Sequence, residues 1–303
     1  MTAPERAAWP PLPYEEWQET YATLHMWMQV VGKVALAQAP PINHSWATAL
    51  HVTPRGLSTH LLPHGVRSFA IEFDFVAHQL VVQVSDGSSQ AHALTGQSVA
   101  DFYRAVMNLL QRMGLGVRIW SMPVEIPNPI RFEDDTIHHT YEPAAAHRCW
   151  QILARIAPVF AERRASFFGK TSPVHFFWGA FDLAVSRFSG RPAPPREGPG
   201  FMRDAYSHEV ISHGFWPGSG PMLEPAFYAY AVPEPAGLKE AAVQPSAAYY
   251  HRELGEFILP YEAVRTAPDP IAAIRAFIDS TYDRAATLGR WDRAALERPA
   301  LAV

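Results

Sequence analysis

Histidine, aspartate and arginine recur inside the most apolar run of the chain, GKTSPVHFFWGAFDLAVSRFSGR at 169–191, where His175, Asp182 and Arg187 stand among phenylalanine, leucine and valine. A polar group in such surroundings needs a partner, so these three form either a satisfied structural network or the wall of a site. A second cluster, Tyr206-Ser207-His208-Glu209-Val210-Ile211-Ser212-His213, collects residue types that carry protons or bind metals. His25 and Gln29 lie one helical turn apart, with Gly32 leaving space beside them. The chemistry these types support is acid–base catalysis on a small molecule. His175 or His208 would carry the proton, Glu209 or Asp182 would orient it, and Arg187 would hold an anionic group. His25, Gln29, Trp178 and Trp216 would contribute to substrate binding. The rival reading is a non-catalytic binding or sensing protein, whose aromatic cavity holds an apolar ligand while the polar residues lock the fold.

No metal and no cofactor are expected. His208, Glu209 and His213 do not have the H-E-x-x-H spacing that puts two histidines one helical turn apart. On a strand Glu209 and His213 share a face while His208 points away. Gly169-Lys170-Thr171 resembles the end of a phosphate loop, but position 164, where the upstream glycine belongs, is Arg164. Neither G-x-S-x-G nor G-x-G-x-x-G occurs, which argues against the commonest hydrolase and dinucleotide-binding plans. His138 and His139, after Glu133-Asp134-Asp135, read as a solvated loop.

These residues must be positioned by an α+β framework. Helical spacing predicts a helix over 14–37, with Leu24, Trp27, Met28, Val31, Val34 and Ala35 on one packing face. Four short runs over 43–84, divided by Pro54-Arg55-Gly56, Pro63-His64-Gly65 and a further turn, predict an antiparallel meander in which Phe69, Ile71, Phe73 and Phe75 face the core. Ser98 with Asp101 predicts a capped helix over 99–113 stopped by Gly114. VRIWSM at 117–122 predicts another strand. An irregular proline-rich connector then runs to Pro143 and divides an N-terminal half, 1–142, from a C-terminal half, 143–303. The second half repeats the plan: a helix over 144–168, the apolar stretch as a single central strand, an exposed proline- and glycine-rich excursion at 191–200, further strands, and a last helix capped by Asp269 with Pro270 at its first position. The expectation is two similar helix/antiparallel-sheet/helix halves packed as one unit. Alternation through the whole apolar stretch places His175 and Arg187 on one face and Asp182 on the other.

With 303 residues, 48% of them apolar, the chain is long enough for one large or two modest cores. A net charge of -4, with 25 lysines and arginines forming no basic run, lacks the electrostatic footprint of a nucleic-acid binder. One cysteine, Cys149, excludes an internal disulfide and any CxxC zinc module. With no signal-like N-terminus and no apolar run of the ~18 residues a membrane helix needs, a cytoplasmic protein without membrane partners is expected. Oligomeric state is not legible.

TLHMW at 23–27, NHSW at 43–46, FDF at 73–75, SDG at 85–87, SPVHFFWGAFDLAVSRFSGR at 172–191, SHEV at 207–210 and GFWPG at 214–218 together resemble a bacterial domain-of-unknown-function family over nearly the whole length. The resemblance implies a single family unit of bacterial, cytoplasmic origin, and it implies no activity.

Overall fold

The first helix, α1 (Tyr14–Gln38), is buried on nearly every side from Trp17 to Ala35 in the computed structural model, which describes residues 9–195, 197, 200–219 and 222–298. A helix apolar all round belongs inside a fold rather than on its surface. Its few polar side chains, among them His25 and Gln29, are therefore committed to partners in both halves of the chain. Before it, Trp9 and Leu12 are buried, and the Tyr261 hydroxyl donates to the Pro10 carbonyl (2.9 Å), so residues 9–13 wrap onto the body.

A 3-10 segment (Asn43–Thr48) leads into six short strands: β1 (His51–Val52), β2 (Gly56–Ser58), β3 (Leu62–His64), β4 (Arg67–Asp74), β5 (Gln79–Val84) and β6 (Ser89–Ala93). They form one antiparallel sheet in the order β1-β2-β4-β5-β6, with β3 on the other part of β4. The sheet has six strands rather than the four predicted runs: the run after Pro54-Arg55-Gly56 divides into β2 and β3, both paired with β4, and β6, a polar strand with little apolar patterning, pairs with β5 at the edge. In β4, Phe69, Ile71 and Phe73 are fully buried, as their alternation predicts. Helix α2 (Val99–Arg112) starts where expected, its Ser98 side chain accepting from the Asp101 N–H (3.0 Å), and Gly114 ends it at φ +68°. The 117–122 run is not a strand. Its burial alternates from Leu115 to Ser121 as a strand's would, but it forms no ladder with a neighbouring strand and runs on as extended connector.

Helix α3 (Pro143–Ala165) opens the second half, followed by β7 (His175–Phe177), β8 (Asp182–Pro192), α4 (Gly200–Ala205), β9 (His208–Trp216), β10 (Ala226–Val232), β11 (Tyr249–His251), β12 (Glu256–Pro260), α5 (Tyr261–Arg265), α6 (Pro270–Leu288) and α7 (Arg293–Leu296). The strands make a second antiparallel sheet in the order β11-β12-β10-β9-β8-β7. The expected single strand over the apolar stretch is instead a hairpin, β7-turn-β8. The excursion expected at 191–200 falls partly outside the described residues. Helix α6 has the expected caps, with Asp269 accepting from the Ala272 N–H (2.9 Å) and Pro270 at the first position.

The two sheets meet edge to edge. Leu50 and Phe176, each beside or within the first strand of its half, exchange both backbone hydrogen bonds in antiparallel fashion (2.9 and 2.7 Å), and both side chains are fully buried. Helices α3 and α6 cover one face of the second sheet, where His213 meets Thr281 of α6 (3.0 Å) and the Arg187 guanidinium donates to the Arg163 carbonyl of α3 (2.5 Å). The other face is left concave, under α1, α4 and the 3-10 segment. Among the described residues no helix is long and apolar enough to cross a membrane.

Candidate functional site

The hairpin turn decides which side chains meet. Phe177 pairs with Asp182 and His175 with Ala184, so the four residues Trp178–Phe181 reverse the chain and reset its alternation. His175, Phe177, Asp182, Ala184, Ser186 and Phe188 therefore line the concave face together. Leu183, Val185 and Arg187 turn to the helices. This corrects the alternation counted through an unbroken strand, which separates His175 from Asp182. The turn closes through the Phe181 N–H on the Phe177 carbonyl (2.7 Å) with Phe181 itself left-handed at φ 57°. Phe181 is held there by ring packing against Tyr21 (4.8 Å), Phe176 (5.0 Å) and His25 (5.2 Å).

Helix α1 fixes the outside of that turn. The Trp178 indole lies where a side chain at position 32 would go: a Cβ on Gly32 would sit 2.1 Å from it, and the indole N–H donates to the Thr48 carbonyl (3.0 Å). Trp178 is thus a structural wedge, and the space at Gly32 belongs to it. His25 Nε2 donates to the Gly179 carbonyl (2.9 Å). Gln29 clamps the connector as a second backbone would, donating to the Val124 carbonyl (2.7 Å) and accepting from the Val124 N–H (2.8 Å). That clamp presents the next residue, Glu125, in a left-handed conformation (φ 59°) over Gly179, where a side chain would lie 2.8 Å from its carboxyl.

Strands β9 and β10 supply the floor. Gly214 pairs with both Ala184 and Tyr228. With no Cβ, which would stand 2.2 Å from the Tyr228 ring, it lets that ring lie across β9 and donate its hydroxyl to the Asp182 carboxyl on β8. Tyr230, two residues on, stacks beside Tyr228 (5.9 Å) and meets the Tyr206 hydroxyl (3.3 Å). Glu256 of β12 completes the floor. The cleft has connected lobes of about 200 and 630 Å³ that share Glu125, Ala180, Asp182, Tyr206, Tyr228 and Tyr230, and a further lobe of about 460 Å³ reached past Tyr206, Tyr230 and Glu256. These volumes suit a small molecule.

Burial sets the charge of this surface. It pushes Asp182 up to about 7, with Glu125 adding to the shift and the Tyr228 hydrogen bond opposing it. It pushes Glu256 up to about 7 as well, helped by Asp182, and it raises Glu125. His25 and His175 are moved the other way, down to about 4, by the same loss of water, so both are neutral near pH 7. His175 Nδ1 faces the Pro173 carbonyl (2.7 Å), a group that only accepts, so the proton is on Nδ1 and Nε2 carries a lone pair. The protein therefore places protonatable carboxyls, phenols and a neutral imidazole acceptor around one cavity. Of these groups, Asp182 and Glu256 are the carboxyls that burial brings to about 7.

Backbone strain gathers at the same place. Of the seven described non-glycine residues with positive φ, His44, Ser45 and Glu125 line the cleft and Phe181 closes the turn beneath it. Such conformations cost about 1–3 kcal/mol each and cluster at functional sites.

The sequence-derived site divides in two. His25, His175, Asp182 and Trp216 line the cleft; Gln29 and Trp178 hold its walls. Arg187 is buried on the far face against the Tyr282 ring (4.5 Å), away from any cleft ligand. Glu209 also lies outside the cleft, in an ion pair with Arg191 (2.6 Å) and a hydrogen bond from Ser189 (2.8 Å). His208 meets Ser207 (3.1 Å) near the start of β9, and Glu209 does not orient it. No group of three histidine, cysteine or acidic side chains among the described residues is placed to hold a metal. Tyr228, Tyr230, Glu256 and Glu125 were not singled out from sequence. The signal for the first two was the spacing of two in PAFYAYAVP, which puts both phenols on one face of a strand. Glu256 stands at the head of the apolar run EFILP, and Glu125 carries no local signal.

A family model matches residues 9–298, and the chain belongs to that family, the Family of unknown function (DUF5996). No curated protein and no solved structure matches it.

Proposed function

We propose that this member of the DUF5996 family is an enzyme that transfers protons to or from a small molecule held in the aromatic cleft, with Asp182 and Glu256 as the acid–base pair. The observation that carries the reading is the convergence of Asp182, Glu256 and Glu125 on one cavity, with Tyr228 bonded to Asp182. Two neighbouring carboxyls that titrate near neutrality divide naturally into one proton donor and one acceptor, because ionising the first holds the proton on the second. Tyr228 orients Asp182 and keeps it from being driven higher still. His175 accepts a hydrogen bond from the bound molecule rather than carrying its proton. The histidine/carboxylate scheme read from sequence thus becomes a carboxyl scheme with histidine in support.

The binding-protein reading uses the same cavity without turnover. Incubating the protein with a library of small metabolites in D2O, and following each compound by proton NMR, separates the two. The enzyme reading expects at least one compound to exchange a proton for deuterium or to be converted, and expects Asp182→Asn and Glu256→Gln to abolish this. Compounds that are bound but unchanged would favour binding alone. Conversion undiminished in both variants would overturn the assignment of the pair.

A further inference from the structure

The charged lining of the cleft among the described residues is acidic, apart from His138, which is already paired with Asp135, and Lys170 nearby is engaged by His44. We infer that the site takes a cation bearing N–H groups, a primary or secondary ammonium or a guanidinium on an apolar or aromatic body. The inference rests on the cleft being the functional site and does not depend on whether catalysis follows.

Three observations carry it. First, among the described residues no arginine or lysine lines any of the three lobes, while Glu125, Asp182, Glu256 and Glu234 do. The cationic candidates at the rim are occupied: His138 is paired with Asp135 (2.7 Å), and Lys170 donates to His44 Nε2 (2.7 Å) beside the Trp46 and Phe188 rings. Second, His175 is 3% exposed, its only proton is given to the Pro173 carbonyl, and its Nε2 lone pair has no partner among the described residues. A buried acceptor on a cavity wall calls for a donor from the ligand. Third, the rings of Tyr228, Tyr230, Tyr206 and Trp216 offer π faces that attract a cation and repel an anion. An anionic ligand would meet carboxyls and ring faces, with neutral hydroxyl and indole N–H groups as donors and His138 already paired with Asp135.

A cation also relieves what burial imposes on the carboxyls. Binding it favours their ionised form, so protons leave as it enters and affinity rises with pH until they are ionised in the free protein. The groups that face Asp182 in this balance are Tyr228 of β10, Glu125 of the connector, Glu256 of β12 and His175 of β7; His25 is neutral throughout the range.

Calorimetry with 2-phenylethylamine, its N,N,N-trimethyl derivative, 3-phenylpropionate and ethylbenzene-type neutral 2-phenylethanol tests this on the full chain. The amine is expected to bind at least tenfold more tightly than the carboxylate, and more tightly than the trimethyl cation, which has no N–H for His175. Its affinity should rise about tenfold from pH 6 to pH 8, with protons released as judged by the difference between phosphate and Tris buffers. Glu256→Gln, which leaves the Tyr228–Asp182 bond in place, should remove most of the preference for the amine over the alcohol. If the alcohol or the carboxylate binds as tightly as the amine, and Gly214→Ala weakens that binding, the cleft remains the site and the cation inference fails. If none of the four binds, the inference fails and the cleft reading loses its support as well.

Discussion

The burial of Asp182 has a consequence for stability that needs no substrate. Its carboxyl is raised from 3.8 to about 7 by burial, so between those values the folded state holds more protons than the unfolded state. Stability contributed by this group is therefore full at acid pH and falls as pH climbs through that window. Asparagine keeps an acceptor for Tyr228 and has nothing to ionise. Asp182→Asn should gain on wild type by about 1 kcal/mol more at pH 8 than at pH 5, after discounting for partial exposure, which is roughly 2 °C in Tm for a chain this long. Buried neutral His25 and His175 act oppositely, losing stability as pH falls from 6.5 towards about 4, but they are common to both proteins and cancel from the difference. Thermal melts across pH 5–8 read it directly. At this scale the sequence revealed His175, Asp182 and His25 as polar side chains stranded in apolar runs. It did not reveal Glu125 or Glu256, whose importance comes from the fold bringing them to Asp182.

Two glycines decide whether the elements can approach at all. Gly214 lets the Tyr228 ring cross β9, and Gly214→Ala should cost about 1–3 kcal/mol in urea denaturation, the ordinary range for an overpacked core position. It should also free the Tyr228 hydroxyl from Asp182 and so drive that carboxyl higher, since this bond opposes the shift. Gly32→Ala places a methyl inside the indole of Trp178, and the ring is buried with no room to swing away. The expected result is a loss of about 3 kcal/mol together with a red-shifted tryptophan emission as the wedge is expelled. The helices and their caps were readable from periodicity, Ser98 and Asp269. The β7–β8 hairpin was not, because its turn, Trp178-Gly179-Ala180-Phe181, carries none of the Asn-Gly or Pro-Gly chemistry that marks tight turns. It is enforced by tertiary contacts instead: Trp178 against Gly32, His25 on the Gly179 carbonyl, and Phe181 locked among four rings. The 117–122 run differs: its alternation is real, but no strand edge lies beside it to complete a ladder.

The whole molecule is held together by α1 and by the seam between the two sheets. Helix and sheet alternate similarly in both halves, as patterning suggested, and the α+β class follows from it. The seam, however, depends on Leu50 and Phe176, 126 positions apart in sequence, and no local pattern announces such a contact. Phe176→Ala removes a fully buried ring at the joint and should cost about 3–5 kcal/mol. Because α1 spends its polar side chains on the turn and connector that shape the cleft, that loss should appear as one cooperative transition that takes the site with it, seen as coincident fluorescence and circular-dichroism melts. The claim on which all of this converges is that the cleft holds a carboxyl pair titrating near neutrality. Carbon-13 NMR of protein labelled at aspartate and glutamate side-chain carboxyls, assigned with Asp182→Asn and Glu256→Gln, measures it without any ligand. The account predicts that the Asp182 and Glu256 resonances titrate with apparent pKa values near 7, and that removing either carboxyl lowers the other. Both resonances titrating below about 5, each indifferent to loss of its neighbour, would contradict it.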